Sequence, residues 1–364
     1  VTGAPDAPDG RLRLADLDFE LPADLVAQRP AAQRDACRLL HVGRGSRADP
    51  EERRFDALPE LLRPGDALVR NVTRVLPARL RCTRPHGGRG EILLLEPEPG
   101  GGWWALVRPG RRLAAGSSVR LDDDTPVEIA AVDADGRRLV RFPPATDVVQ
   151  LARNVGVMPL PPYIERPADA ADTEDYQTVY ARIDGSVAAP TAGLHFTPAL
   201  LARLEAAGVL LLDLVLHVGP GTFQPIRSPD PLQHRMHWEP FAVQRSVLER
   251  LRAVRAAGGR VVGVGTTVAR TLESVGRWEA GEAGDEVVVE AHDDVVRGRT
   301  RLFLYPPRRV RCLDALLTNF HLPRTTLLLL VDAFAGRDTR RRAYAWAVQH
   351  RFRFFSYGDA MLID

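Results

Sequence analysis

The chain has 364 residues, 45% of them hydrophobic and 26% charged, an ordinary soluble composition with enough length for two hydrophobic cores. The best apolar run, Leu327 to Val331, is far too short to span a bilayer, so no membrane association is expected. The net charge of +2 neither demands nor excludes a nucleic-acid partner; all 49 basic residues are arginines, which excludes lysine Schiff-base and lysine general-base chemistry.

Residues 1–10 are polar and rich in Pro and Gly, which predicts a disordered tail and not a signal peptide. From about Leu80 to Phe142 short apolar runs (Glu91–Leu95, Trp103–Val107, Ser118–Leu121, Val127–Val132, Leu139–Phe142) alternate with turn clusters, the pattern of a small antiparallel barrel. Pro77 and Pro143-Pro144 are plausible crossing points. The expected class is therefore α/β. A discontinuous, layered main domain (11–64 and 152–364) would carry an inserted β-barrel domain (65–151). Trp103 and Trp104 are expected in the barrel core. Arginines flank the barrel strands, among them Arg79, Arg81 and Arg84; such a run reads as a solvated face or as an RNA-facing patch.

Arg166 to Glu174, rich in Pro and Asp, reads as a linker or surface loop. Thr197-Pro198 starts a helix that Gly208 ends. Val209 to Leu216 is a nearly continuous apolar run, expected to be a buried strand. Arg260–Val264 is a second strand, followed by Gly265-Thr266-Thr267 and a helix to about Ser274. Leu313–Leu317 is a third, followed by a loop, Pro323 and a helix through Ala335. Polar segments follow each of these strands: His217 to Phe223, Gly265-Thr266-Thr267, and Thr318-Asn319-Phe320-His321. Ligands of open α/β sheets bind at strand carboxyl ends, so the three could line one cleft.

Six of the nine histidines lie between Pro190 and Pro323. His234 and His237 are close enough in sequence to suggest a metal, but lack the acidic companion of a zincin helix; no metal is expected. Gly263 to Val268 lacks the third glycine of a dinucleotide fingerprint, and no Gly-x-Ser-x-Gly elbow occurs. Cys37, Cys82 and Cys312 are widely spaced, which argues for a reducing, cytoplasmic compartment and against an iron–sulfur cluster.

Nearly the whole chain resembles the S-adenosylmethionine:tRNA ribosyltransferase-isomerase family of queuosine biosynthesis. The resemblance is carried by Ala27-Gln28-Arg29-Pro30, Met158 to Ile164, Tyr176 to Tyr180, Gly185 to Phe196, His217 to Phe223 and His234 to Glu239. It continues through Val264 to Ser274, Leu317 to Pro323 and Arg353 to Met361. It implies transfer and isomerisation of the ribosyl group of S-adenosylmethionine onto 7-aminomethyl-7-deazaguanine in tRNA, giving epoxyqueuosine, adenine and methionine. The same chemistry on a free nucleoside is the alternative. S-adenosylmethionine is then a substrate and no cofactor is required; a monomer is expected. The resemblance makes His195, His217, His237, His321, Glu239 and Asp359 the acid/base candidates. It gives substrate binding to Thr191, Gly219, Gly221, Thr222, Phe223, Thr266, Thr267, Arg270, Asn319 and Tyr357; with tRNA as the acceptor, the barrel arginines Arg79, Arg81 and Arg84 are the tRNA-binding candidates. Val72, Val215, Val268 and Arg324 depart from the family pattern, where aspartate, threonine, serine and lysine are expected.

Overall fold

The computed structural model describes residues 12–364 except His86 and Gln224, with Phe223 described by its backbone alone; the tail expected at 1–10 lies outside the described residues. Two compact units emerge. The first comprises Val1–Val72, Thr178–Ala181 and Pro190–Asp364, the second Thr73–Gln177 and Arg182–Ala189.

The first unit is built on a ten-stranded sheet. In spatial order its strands are Val287–Ala291, Val295–Thr300, Glu239–Gln244, Leu210–Leu216, Ala67–Asn71, Val261–Val264, Ala315–Asn319, Ala360–Ile363, Arg38–Val42 and Glu51–Arg54. Ala67–Asn71, Val261–Val264 and Ala315–Asn319 are buried at every position, as strands covered on both faces must be. These three and Leu210–Leu216 run parallel to one another. On one side of the sheet Phe55, Phe196, Leu200 and Leu204 pack against Val262, Val264 and Leu317. Because the four strands are parallel, their carboxyl ends lie at one end of the sheet, and so do the polar segments that follow them. Glu239–Gln244 runs antiparallel to Leu210–Leu216, so its first residue, Glu239, falls at that same end.

Ala67–Asn71 corrects the expected domain boundary. It lies inside the stretch 65–151 assigned from sequence to the barrel, yet it is a central strand of the large sheet, paired with Leu210–Leu216 and Val261–Val264. Pro64-Gly65 is a local turn, with Gly65 at φ 88° and its amide on the Gly208 carbonyl. The second unit also reaches further than residue 151. It includes the helix Val148–Val155 and the strand Ile183–Ser186, paired with Thr73–Val75. The expected loop at 166–174 is anchored: Arg166 grips fully buried Asp172 through both carboxylate oxygens, at 2.7 and 2.6 Å.

Six antiparallel strands of the second unit close a barrel: Arg79–Thr83, Arg89–Pro97, Trp103–Arg108, Ser118–Leu121, Pro126–Val132 and Arg138–Arg141. Leu80, Ile92, Leu94, Ala105, Val127, Ile129 and Val140 fill it, and Trp103 packs against them. Trp104 does not share that core. Neighbouring residues on a strand point to opposite faces; the Trp104 indole donates to Glu98 instead, with the Arg137 guanidinium 5.1 Å from its ring centre. Ile92→Ala should cost about 2–5 kcal/mol by opening a cavity in a fully buried site. Trp104→Ala should cost less; urea unfolding of the two variants checks the order.

Candidate active site

His195 closes the short helical turn Thr191–His195 and is buried, its ring 5.2 Å from that of Phe55. Asn319 ends a fully buried strand, so its amide is held by backbone geometry. Its Nδ2 donates to His195 Nε2 at 2.9 Å, and its Oδ1 accepts from the Thr191 hydroxyl at 2.9 Å. With Nε2 accepting, His195 carries its proton on Nδ1, which faces the Cys37 sulfur at 3.3 Å. Burial raises the Cys37 thiol far above its ordinary range, so the sulfur is a neutral partner. No sequence signal pointed to Cys37, since a lone cysteine has no spacing to read.

His321 follows the same strand. Its Nε2 pairs with the Thr318 hydroxyl at 3.0 Å, and its backbone amide donates to the Tyr344 hydroxyl at 2.9 Å. Burial pushes His195 and His321 down to about 3, with Arg353 and Arg34 adding to the effect at His195. Both imidazoles are therefore neutral near pH 7, which removes the expected role of either as a protonated general acid in the ligand-free fold.

A second group forms around Glu239. Its Oε1 accepts from the Gly219 amide at 3.0 Å and the Thr222 hydroxyl at 2.8 Å, while Oε2 pairs with Arg270 Nη1. Arg270 Nε donates to the Leu302 carbonyl at 3.3 Å. Glu239 is thus buried, with three donors on its carboxylate, a geometry for holding a loop and a guanidinium and not for exchanging protons. His237 is exposed, and its ring lies against Gly221 so closely that any Cβ there would collide with it. The His217 amide donates to the Pro240 carbonyl, which fixes the start of the 217–223 segment. Thr266 and Thr267 open the helix Thr266–Glu279, and Gly265 before them sits at φ 86°, where only glycine is comfortable.

The remaining candidates are dispersed. Asp359 borders the end of the Asn319 strand, but its two oxygens accept the Arg38 and Arg353 amides at 3.1 and 2.7 Å; burial raises its pKa, opposed by those bonds. It serves as a backbone clamp. Tyr357 is buried. The Phe223 side chain lies outside the described residues. In the barrel, Arg79 is committed to Glu91 at 3.1 Å, whereas Arg81 is exposed and has no partner among the described residues; Arg84 donates to the Arg89 carbonyl. Val72 is buried, its amide on the Leu214 carbonyl. No cluster of three or more His, Cys, Asp or Glu suited to a metal occurs among the described residues. No helix among them is long and apolar enough to cross a membrane.

Polar side chains gathered at the carboxyl ends of parallel strands, on a chain that also builds a separate antiparallel barrel, define an α/β enzyme with an inserted β-barrel. The chain belongs to the queuosine biosynthesis protein family, whose model matches residues 14–363. It is 46% identical over 352 residues to the S-adenosylmethionine:tRNA ribosyltransferase-isomerase of Thermotoga petrophila, covering 97% of this chain and 100% of the relative. Its likeness to the Thermus thermophilus protein of the same name is 48% over 354 residues, 95% of this chain and 98% of the relative. The crystal structure of S-adenosylmethionine tRNA ribosyltransferase from Thermotoga maritima matches with a TM-score of 0.53 at 37% identity, covering 96% of this chain and 100% of that one.

The buried imidazoles give the site a pH signature. The unfolded chain protonates each near 6.5, while the folded one holds out to about 3, so stability present above pH 6.5 is lost as pH falls below it. Each contributes up to about 1.4 kcal/mol per pH unit. His41, whose pKa the Asp364 carboxylate raises, acts in the opposite sense. Comparison with His321→Gln isolates one group: between pH 6.5 and 5 its unfolding free energy should fall less steeply than that of the parent, by up to that slope. Equal slopes would show that His321 titrates normally.

Proposed function

We propose that this protein transfers and isomerises the ribosyl moiety of S-adenosylmethionine onto 7-aminomethyl-7-deazaguanine in tRNA, giving epoxyqueuosine with release of adenine and methionine. The observation that carries the reading is near-full-length similarity, at 46–48% identity, to enzymes named for that activity. The protein works in the cytoplasm as a monomer and needs no metal or other cofactor.

The chemistry asks for three things. A base removes a proton from the carbon beside the sulfonium, which that charge acidifies. An acid protonates a ring nitrogen of the departing adenine. Hydrogen-bond donors stabilise oxygen anions as the sugar rearranges. His237, the exposed imidazole, and His217 take the proton-transfer steps. His195, with its proton fixed on Nδ1 by Asn319, and His321 act as neutral hydrogen-bonding groups. Thr191, Asn319, Gly219, Gly221, Thr222, Phe223, Thr266, Thr267, Arg270 and Tyr357 bind S-adenosylmethionine. Arg81 and Arg84 contact tRNA phosphates, and Arg79 contributes less because Glu91 already holds its guanidinium.

Incubation with labelled S-adenosylmethionine and tRNA bearing the deazaguanine base should release adenine and methionine in step with base modification, unaffected by a chelator. Adenine release driven only by the free nucleoside would reject the tRNA reading, and loss in chelator restored by zinc would reject metal independence. Replacing Arg81 and Arg84 with Gln should lower the slope of log affinity for tRNA against log salt by about one to two, without changing the affinity for S-adenosylmethionine. An unchanged slope would make them a solvated face.

A further inference from the structure

Arg270 is 4% exposed, yet its guanidinium is only partly used. Nε is on the Leu302 carbonyl and Nη1 on Glu239, while Nη2 is buried with no hydrogen-bond partner among the described residues. One helical turn earlier on the same face, the hydroxyl of Thr267 is also buried and unpartnered. Buried donors are almost always satisfied in a native protein, so two unmet ones on one helix face mark a place where something else supplies the acceptor.

The surroundings say what kind of acceptor. Thr266 and Thr267 are the first two residues of a fourteen-residue helix that no side chain caps. Its first-turn amides are therefore open to an anion, and the helix dipole favours one there. Side chains on a helix lean toward its amino terminus, which carries the Arg270 guanidinium back toward that turn. Donors from the backbone, a hydroxyl and a guanidinium thus converge on a single negative group. A carboxylate also lies beside the same guanidinium, because Glu239 is hydrogen-bonded to it. That arrangement disfavours a phosphate and suits a zwitterion, with an ammonium near Glu239 and a carboxylate near Arg270.

We infer that Arg270, Thr267 and the amino terminus of the helix Thr266–Glu279 form the receptor for the α-carboxylate of the methionine part of S-adenosylmethionine, with Glu239 as the residue that positions Arg270 and faces the α-ammonium. This rests on the reading of S-adenosylmethionine as substrate. It moves Glu239 from the acid/base candidates to substrate recognition, beside Arg270. It also assigns the loop 217–223 a second duty, since Gly219 and Thr222 hold the Glu239 carboxylate in place.

The test compares binding of S-adenosylmethionine with that of its decarboxylated analogue to the full chain by calorimetry. Wild type should prefer the carboxylate-bearing ligand by about a hundredfold, the range of two charge-assisted hydrogen bonds. Arg270→Gln should bring the preference below about tenfold, while affinity for the decarboxylated analogue stays near wild type. Since Arg270→Gln leaves Glu239 buried without its partner, Thr267→Val is the second variant; it keeps the ion pair and should lower the preference about tenfold, with Thr267→Ser restoring it. A wild-type protein that binds both ligands equally would overturn the inference, as would variants that keep the full preference. A flattened tRNA salt slope with that preference intact would give the site to phosphate and overturn it likewise. Failure of the wild type to bind S-adenosylmethionine at all would count against the proposed activity itself, a separately visible result.

Discussion

A charge removed from water must find its partners inside the protein, and the pairing of Glu239 with Arg270 is the point at which this constraint organises the site. Both residues are almost fully buried. The desolvation of two ions is recovered only if their remaining donors and acceptors are met, and the protein meets all of them but Arg270 Nη2, from three directions. The 217–223 segment gives the Gly219 amide and the Thr222 hydroxyl, the helix Thr266–Glu279 gives the guanidinium, and the backbone after Thr300 gives the Leu302 carbonyl. Removing either charged residue would leave the other uncompensated, so this pair couples the parallel sheet to its antiparallel extension.

The same constraint acts differently on the histidines. His195 and His321 have no carboxylate partner among the described residues; burial is instead resolved by neutrality. The Thr191–Asn319–His195–Cys37 chain works only with neutral groups, because each donor meets an acceptor without excess charge. A neutral imidazole of fixed tautomer is a poor proton carrier but a well-defined hydrogen-bonding group. The division between buried, fixed histidines and an exposed His237 follows from where each lies relative to the sheet.

Much of the architecture was legible in the sequence because its signals are local. Val209 to Leu216 and Arg260 to Val264 read as buried strands since a strand covered on both faces has no polar alternation to hide it. The barrel read from short apolar runs broken by turns. The elements that escaped lack such signals. Ala67–Asn71 is short and follows a Pro-Gly turn, so it looked like the entry to the barrel. Glu239–Gln244 has a proline at its second position, which argues against a strand; here that carbonyl accepts the His217 amide. At the site, residue types were legible and their roles were not. Glu239 and Arg270 lie 31 residues apart and Cys37 and His195 lie 158 apart, and no periodicity links such partners. Asp359 looked like a carboxylate for chemistry because sequence cannot show two backbone amides pointing at it.

The charge pattern of the site also suits a sulfonium substrate. A cation placed near a protonated imidazole or a lone guanidinium would be repelled, and strongly so where water is excluded. In this fold the two buried imidazoles carry no charge near pH 7, and the one buried guanidinium beside the 217–223 segment is neutralised by Glu239. Donors remain for a carboxylate and for sugar oxygens, and the buried Arg270 guanidinium among them carries its own counter-ion. The burial that weakens His195 and His321 as acids would therefore also spare a positively charged substrate bound beside them the repulsion of two imidazolium ions.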